Sequence, residues 1–208
     1  MLDGSSIAEG VPLVSAEGYA ALTVSQAAVR FTSAAIQGAA PETTFTGVSG
    51  DWISENGVIT QRTAEMRDFL TTSGIQAERY IVSIDITLPE LATSPDAGGG
   101  LVFHMGGREN LAGGHMVRFH RGGQELLWGW YDASGVFQYE AGQPLTLSDA
   151  RTHTLTVNVR ADQYDVAVDG TAVLNGIPLR SAGGWIGLLS FGGGVSFANF
   201  RLAITGET

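Results

Sequence analysis

Thr152-His153-Thr154-Leu155-Thr156-Val157-Asn158-Val159-Arg160-Ala161-Asp162-Gln163-Tyr164-Asp165-Val166-Ala167-Val168-Asp169-Gly170-Thr171-Ala172-Val173-Leu174 is the stretch on which the fold turns. Leu155, Val157 and Val159 alternate with polar neighbours, the period-2 pattern of a half-buried strand. Ala161-Asp162 reads as a short reversal, and Gln163 to Val168 as the returning strand. Asp169-Gly170 then marks a two-residue hairpin, because both central positions of its favoured turn need positive φ. It leads into a further strand over Thr171 to Leu174. Three short strands joined by tight turns, with no helical period between them, predict an antiparallel sheet.

The same grammar extends outward in both directions. Downstream, Trp185 to Leu189 and Val195 to Ile204 read as strands separated by Gly192-Gly193-Gly194. Upstream, Val136 to Glu140, Leu126 to Tyr131, His115 to His120 and Leu101 to Met105 are strands. Ser94 to Gly100 is a turn cluster. Tyr80 to Leu88 alternates cleanly and ends at Pro89. Met66 to Thr72 is a strand, and Asn56-Gly57 sits between apolar segments as a second hairpin signal. Roughly twelve short strands with regular turn signals predict an all-β, antiparallel β-sandwich.

Four quoted segments resemble the concanavalin A-like lectin/glucanase superfamily of jelly rolls, in its laminin-G-like or carbohydrate-binding-module-like form. They are Asp51 to Ile59, Gln163 to Thr171, Gly183 to Leu188 and Val195 to Leu202. Leu101-Val102-Phe103 and Met116-Val117-Arg118-Phe119 stand where the paired middle strands of such domains stand. The resemblance covers about residues 43–204. It implies the jelly-roll fold and a carbohydrate-related role, but the fold hosts lectins, binding modules, glycosidases and plain adhesion or spacer domains alike.

Composition narrows the partners. The 208 residues include 44% hydrophobic and only 15% charged side chains, with 29 glycines and a net charge of -10. That acidity offers no basic footprint for nucleic acid. No apolar run reaches transmembrane length, so membrane insertion is not expected. All basic residues are arginine. The absence of cysteine excludes disulfides and thiolate chemistry.

Residues 1–42 are small, alanine-rich and weakly patterned. Ala20 to Ser25 and Val29 to Ile36 read as strands, with a helix over Ser25 to Gly38 as the alternative. The segment is an N-terminal arm or edge piece ahead of a β-sandwich domain over 43–208, and it offers a route to self-association by strand addition. No secretory leader is recognisable, although the fold suggests an extracellular or cell-surface setting.

The candidate site is read from three clusters. His104, Arg118 and His120 lie on two neighbouring strands, with Arg118 and His120 on one face and His115 on the other. A solvated sheet face and a polar sugar site both fit. A histidine metal site does not, since His115 and His120 diverge while zinc needs three or four converging ligands. Trp128 and Trp130, two apart, share a face and form either a sugar-stacking platform or core. Trp52 and Trp185 belong to the family-like core segments. Glu109, Glu125, Asp132 and Glu140 are too scattered for a retaining glycosidase, which needs carboxyls about 5 Å apart. No cofactor follows from the sequence. Calcium stays open, with Asp96, Asp132 and Asp149 as oxygen donors, though no D-x-D-x-D-G loop is present.

The expectation is therefore a non-catalytic carbohydrate-binding or adhesion domain for a polysaccharide or glycan, with His104, Arg118, His120, Trp128 and Trp130 as the site. A self-assembling structural subunit and a glycoside hydrolase are the alternatives.

Overall fold

A computed structural model describes residues 43–90, 94–148 and 151–205. The arm assigned to residues 1–42, with its strands and its role in self-association, lies outside the described residues, as does Asp149. In chain order the strands are β1 Thr46–Gly47, β2 Trp52–Glu55, β3 Val58–Gln61, β4 Asp68–Ala77, β5 Tyr80–Thr87, β6 Gly98–Met105, β7 His115–His120 and β8 Glu125–Tyr131. They continue with β9 Phe137–Pro144, β10 Thr152–Val159, β11 Gln163–Val168, β12 Thr171–Pro178, β13 Gly184–Phe191 and β14 Ser196–Ile204. No helix occurs among the described residues.

The strands form two antiparallel seven-stranded sheets, ordered β1-β4-β13-β6-β7-β8-β9 and β12-β11-β10-β5-β14-β3-β2. The alternation read in β5 and β10 turns Val82, Ile84, Ile86, Leu155, Val157 and Val159 inward, where they meet Leu101, Phe103, Val117, Phe119, Leu126, Trp128, Ile186 and Leu188 of the first sheet. The two hairpin signals hold. Asn56 and Gly57 take φ of 52° and 77°, and Asp169 and Gly170 take 50° and 77°.

The first sheet differs from the second in a way that positions the site. A second apolar layer covers its outer face, built from Leu70, Val102, Met105, Met116, Leu127, Tyr131 and Leu189, with Leu111, Phe137 and Trp185 packed on it. A sheet buried on both faces loses period-2 alternation, and β6 accordingly is buried along its whole length. This also corrects the reading of Ser94 to Gly100 as a turn. Gly98, Gly99 and Gly100 are strand residues paired with His120, Phe119 and Arg118. Glycine within a strand marks close approach of a neighbour.

The β7–β8 turn is fixed from below. Arg121 is only 1% exposed. Its guanidinium donates to the carbonyls of Pro89 at 2.8 Å and Ser148 at 3.4 Å. The Gln124 amide donates to the carbonyls of Arg121 and Leu147 and accepts from the Leu147 N–H. Charge-assisted and paired bonds of this kind hold a turn rigid. That turn carries His120 and Glu125 on its two flanks.

Candidate functional site on the outer face of the first sheet

Register assembles the site. Across the outer face, one row of neighbours runs Asp68, Phe191, Gly98, His120, Glu125 and Pro144, from β4 to β9. The next row runs Leu70, Leu189, Gly100, Arg118, Leu127 and Gly142. The first row is polar at both ends, and the second has glycine at the positions next to Arg118 and Leu127. Glycine lowers the floor, so long side chains from the neighbouring strands can lie flat.

Arg118 uses that space. Its side chain passes the position a Gly98 Cβ would occupy at 3.6 Å. It then donates from Nη1 to Asp68 Oδ1 at 2.8 Å, with the guanidinium carbon 4.8 Å from the centre of the Phe191 ring. Arginine combines hydrogen bonding with stacking on an aromatic face. Burial pushes the Asp68 carboxyl above its ordinary range, and the Arg118 charge and hydrogen bond oppose the rise. Arg118 keeps 13% of its side chain exposed and Asp68 38%.

His120 pairs with Glu125 through Nδ1 and Oε1 at 3.0 Å. Glu125 Oε2 fills the space over Gly142, and the Tyr139 hydroxyl reaches the same place. Tyr139 is 61% exposed. The result is a shallow polar floor carrying two ion pairs, with one exposed phenol at its rim.

Of the five residues expected at the site, the structure brings Arg118 and His120 together and places the other three elsewhere. Trp128 shares a face with Trp130 as expected, but that face points inward and Trp128 belongs to the main core, 8% exposed. Trp130 is half-buried under the Arg180 guanidinium, 4.3 Å from its ring centre. His104 is 1% exposed and meets Tyr80 of the opposite sheet, with ring centres 5.9 Å apart. The cause is one extra residue in β6 between Val102 and Met105. The bulge puts His104 at a φ of 56° and turns it inward beside Phe103. Asp68, Phe191, Glu125 and Tyr139 were not selected for the site, and Glu125 was weighed only as a hydrolytic carboxylate. Their contribution depends on cross-strand register, which no local pattern displays.

The core position of Trp128 gives a direct check. Trp128→Phe should cost about 1–2 kcal/mol of stability through the void it leaves, measured by denaturant unfolding. Affinity at the outer face should stay within a factor of about two.

Among the described residues, no three His, Cys, Asp or Glu side chains gather to hold a metal ion. The Asp132 carboxylate accepts from Ser134 N and Oγ, Val136 N and Gln138 Nε2. These bonds hold its carboxyl below the ordinary value. It is committed to its own turn.

No family model matches the sequence, and no curated protein matches it. Solved structures do. The carbohydrate-binding module CBM66 from Bacillus subtilis aligns with a TM-score of 0.69 at 16% identity, over 77% of this chain and 95% of that one. The carbohydrate recognition domain of Emp47p aligns at 0.56 and 13% identity, over 78% and 88%. A protein of Parabacteroides distasonis provisionally described as a glycosyl hydrolase aligns at 0.52 and 13%, over 76% and 85%. At such identities the likeness is one of fold, and the fold is the concanavalin A-like, galectin-like jelly roll that the sequence resembles.

Proposed function

We propose that this domain binds a non-acidic glycan on the outer face of its first sheet, without catalysing its cleavage. The observation that carries this reading is the Arg118 guanidinium. It is laid over a glycine floor, stacked on Phe191, anchored by Asp68 and flanked by the His120–Glu125 pair. Sugar hydroxyls both donate and accept. A floor that alternates carboxylate acceptors with guanidinium and imidazole donors meets both needs. Arginine has five N–H donors, and Asp68 anchors only part of that fork. Two carboxylates in the row and a net charge of -10 disfavour uronic-acid or sulfated chains. The fold shared with carbohydrate-binding modules and recognition domains supports the same reading, as does an extracellular or cell-surface setting, where such polymers are met.

Tyr139 supplies the aromatic surface at the rim. Titration against a panel of neutral and acidic polysaccharides, read by calorimetry or affinity electrophoresis, tests the proposal. Binding of a neutral polymer is expected. Tyr139→Ala should weaken it by about tenfold, equivalent to about 1.4 kcal/mol, with little change in stability because the ring is already in water. No binding to any member of the panel, or binding only of acidic chains, overturns the reading.

Hydrolysis is disfavoured by spacing. Asp68 and Glu125 stand four strands apart in their row, about 19 Å at the usual strand separation of about 4.8 Å. A glycosidase pair needs about 5–9.5 Å. Release of reducing ends from a bound polymer would reverse this conclusion.

A further inference from the structure

Away from the sugar-binding face, five residues, Leu179 to Gly183, cross from β12 in the second sheet to β13 in the first. Two buried histidines hold this strap, and they do so in opposite senses. His115 Nε2 accepts the Arg180 backbone N–H at 2.9 Å. A ring nitrogen that accepts is unprotonated, so His115 carries its proton on Nδ1, a buried atom with no partner in the structure. His104 Nδ1 lies 2.9 Å from the Ser181 carbonyl oxygen, which can only accept, so that nitrogen donates. Both imidazoles are thus assigned as neutral, each in the opposite tautomer. The strap is further tied by the Ser181 hydroxyl donating to Gly113 O at 3.1 Å and by Leu179 N donating to Asp162 O at 2.8 Å. Arg180 covers the Trp130 ring.

We propose that this strap is an acid-operated latch: protonation of His115 at Nε2 removes the acceptor for Arg180 N–H, and the strap lifts away from Trp130 while the two sheets stay intact. The surroundings favour release once the proton is on. His115 is stacked on Phe103 with ring centres 5.7 Å apart and meets Tyr164 edge-on at 5.4 Å. The charged and titratable groups near the pair are Arg180, Glu78, Glu140, Tyr80, Tyr164 and the other histidine. Glu78 acts on His104, and no carboxylate is paired with His115. A new positive charge on His115 would face His104 and Arg180 in a buried setting, a costly arrangement that opening relieves.

Burial, with His104 and Arg180 adding to it, holds the closed-state His115 imidazole down at about 4, below the ordinary value of 6.5. In the open state it regains an ordinary value. The sign follows. Above about pH 6.5 neither state binds the proton and the latch is indifferent to pH. As pH falls from 6.5 towards 4, the open state takes up the proton first and gains population.

Hydrogen exchange of the intact protein, corrected for the intrinsic rate at each pH, measures this. The amides of 179–183 should open at least about tenfold more between pH 7 and pH 4.5, while the core strands β5 and β10 keep their protection. Trp130 emission should shift over the same range, with Trp130→Phe identifying the signal among the four tryptophans. His115→Gln keeps an acceptor that does not titrate and should abolish the response. His104→Gln should leave a pH-dependent response in place. Equal protection of the strap at both pH values overturns the proposal. So does exposure that appears only together with global unfolding, an outcome the wild-type protein alone can deliver.

Discussion

Gly100→Ala should destabilise the domain by on the order of 3 kcal/mol, a loss that lowers the melting midpoint by about 6–12 °C in a domain of this size. A Cβ at position 100 would stand 2.0 Å from the Val117 carbonyl oxygen and 2.5 Å from the Arg118 Cα. Both are backbone of the neighbouring strand, so no rotamer change relieves the clash. The sheet would have to part between β6 and β7, whose pairing runs unbroken from Gly98 to Phe103. Parting them moves Arg118 and His120 relative to Phe191 and Asp68, so glycan affinity should fall along with stability. Gly57→Ala is the fitting comparison. A Cβ there meets nothing within 4 Å, yet the residue sits at a φ of 77°. Its cost is conformational strain alone, about 1 kcal/mol. Thermal unfolding of the two variants side by side separates close approach from backbone conformation as reasons for glycine. Similar losses for both would mean that the β6–β7 approach is looser than described.

The contrast between those two glycines shows what could be read from the chain. Asn56-Gly57 and Asp169-Gly170 carry their meaning locally, because positive φ at two adjacent positions is a demand the dipeptide itself announces. The alternation in β5 and β10 is likewise local, and it returned the strands and their inward faces. Gly98-Gly99-Gly100 looks like a turn for the same local reason, and its strand role appears only when β7 lies alongside. The site divides in the same way. That Arg118 and His120 share a face follows from their spacing within one strand. That the face also holds Asp68, Phe191 and Glu125 requires the register of β4, β13 and β8. Trp128 and Trp130 were correctly placed on a common face, but parity does not say which face is inside when the sheet is covered on both. His104 was misplaced by a bulge, one residue inserted in β6 that reverses the outlook of everything after it.

Arg118→Ala should abolish measurable glycan binding, a loss of at least about 100-fold, or about 2.7 kcal/mol. Truncation removes the donor that defines the floor and uncovers the Phe191 ring it stacks on. It also leaves the Asp68 carboxylate without its cation, and that gives the variant a signature beyond lost binding. Asp68 already sits above its ordinary range because burial outweighs the help from Arg118. Without that help it moves higher still. A carboxyl raised in the folded state takes up its proton before the unfolded chain does, so acidification favours the fold over the interval between the unfolded and the folded value. The penalty of Arg118→Ala should therefore be largest near neutral pH and shrink as pH falls through the raised Asp68 value. Asp68 keeps 38% of its side chain in water, so solvent screening limits the effect to about 1 kcal/mol. Arg118→Lys sharpens the test. The lysine ammonium restores the charge, and with it most of the Asp68 pairing, but not the planar fork or its stacking on Phe191. Stability should recover while affinity stays low. Denaturant unfolding at pH 7 and pH 4.5, run beside polysaccharide titrations, reads both effects. Full binding by Arg118→Lys would show that charge alone, and not the stacked guanidinium, makes the site.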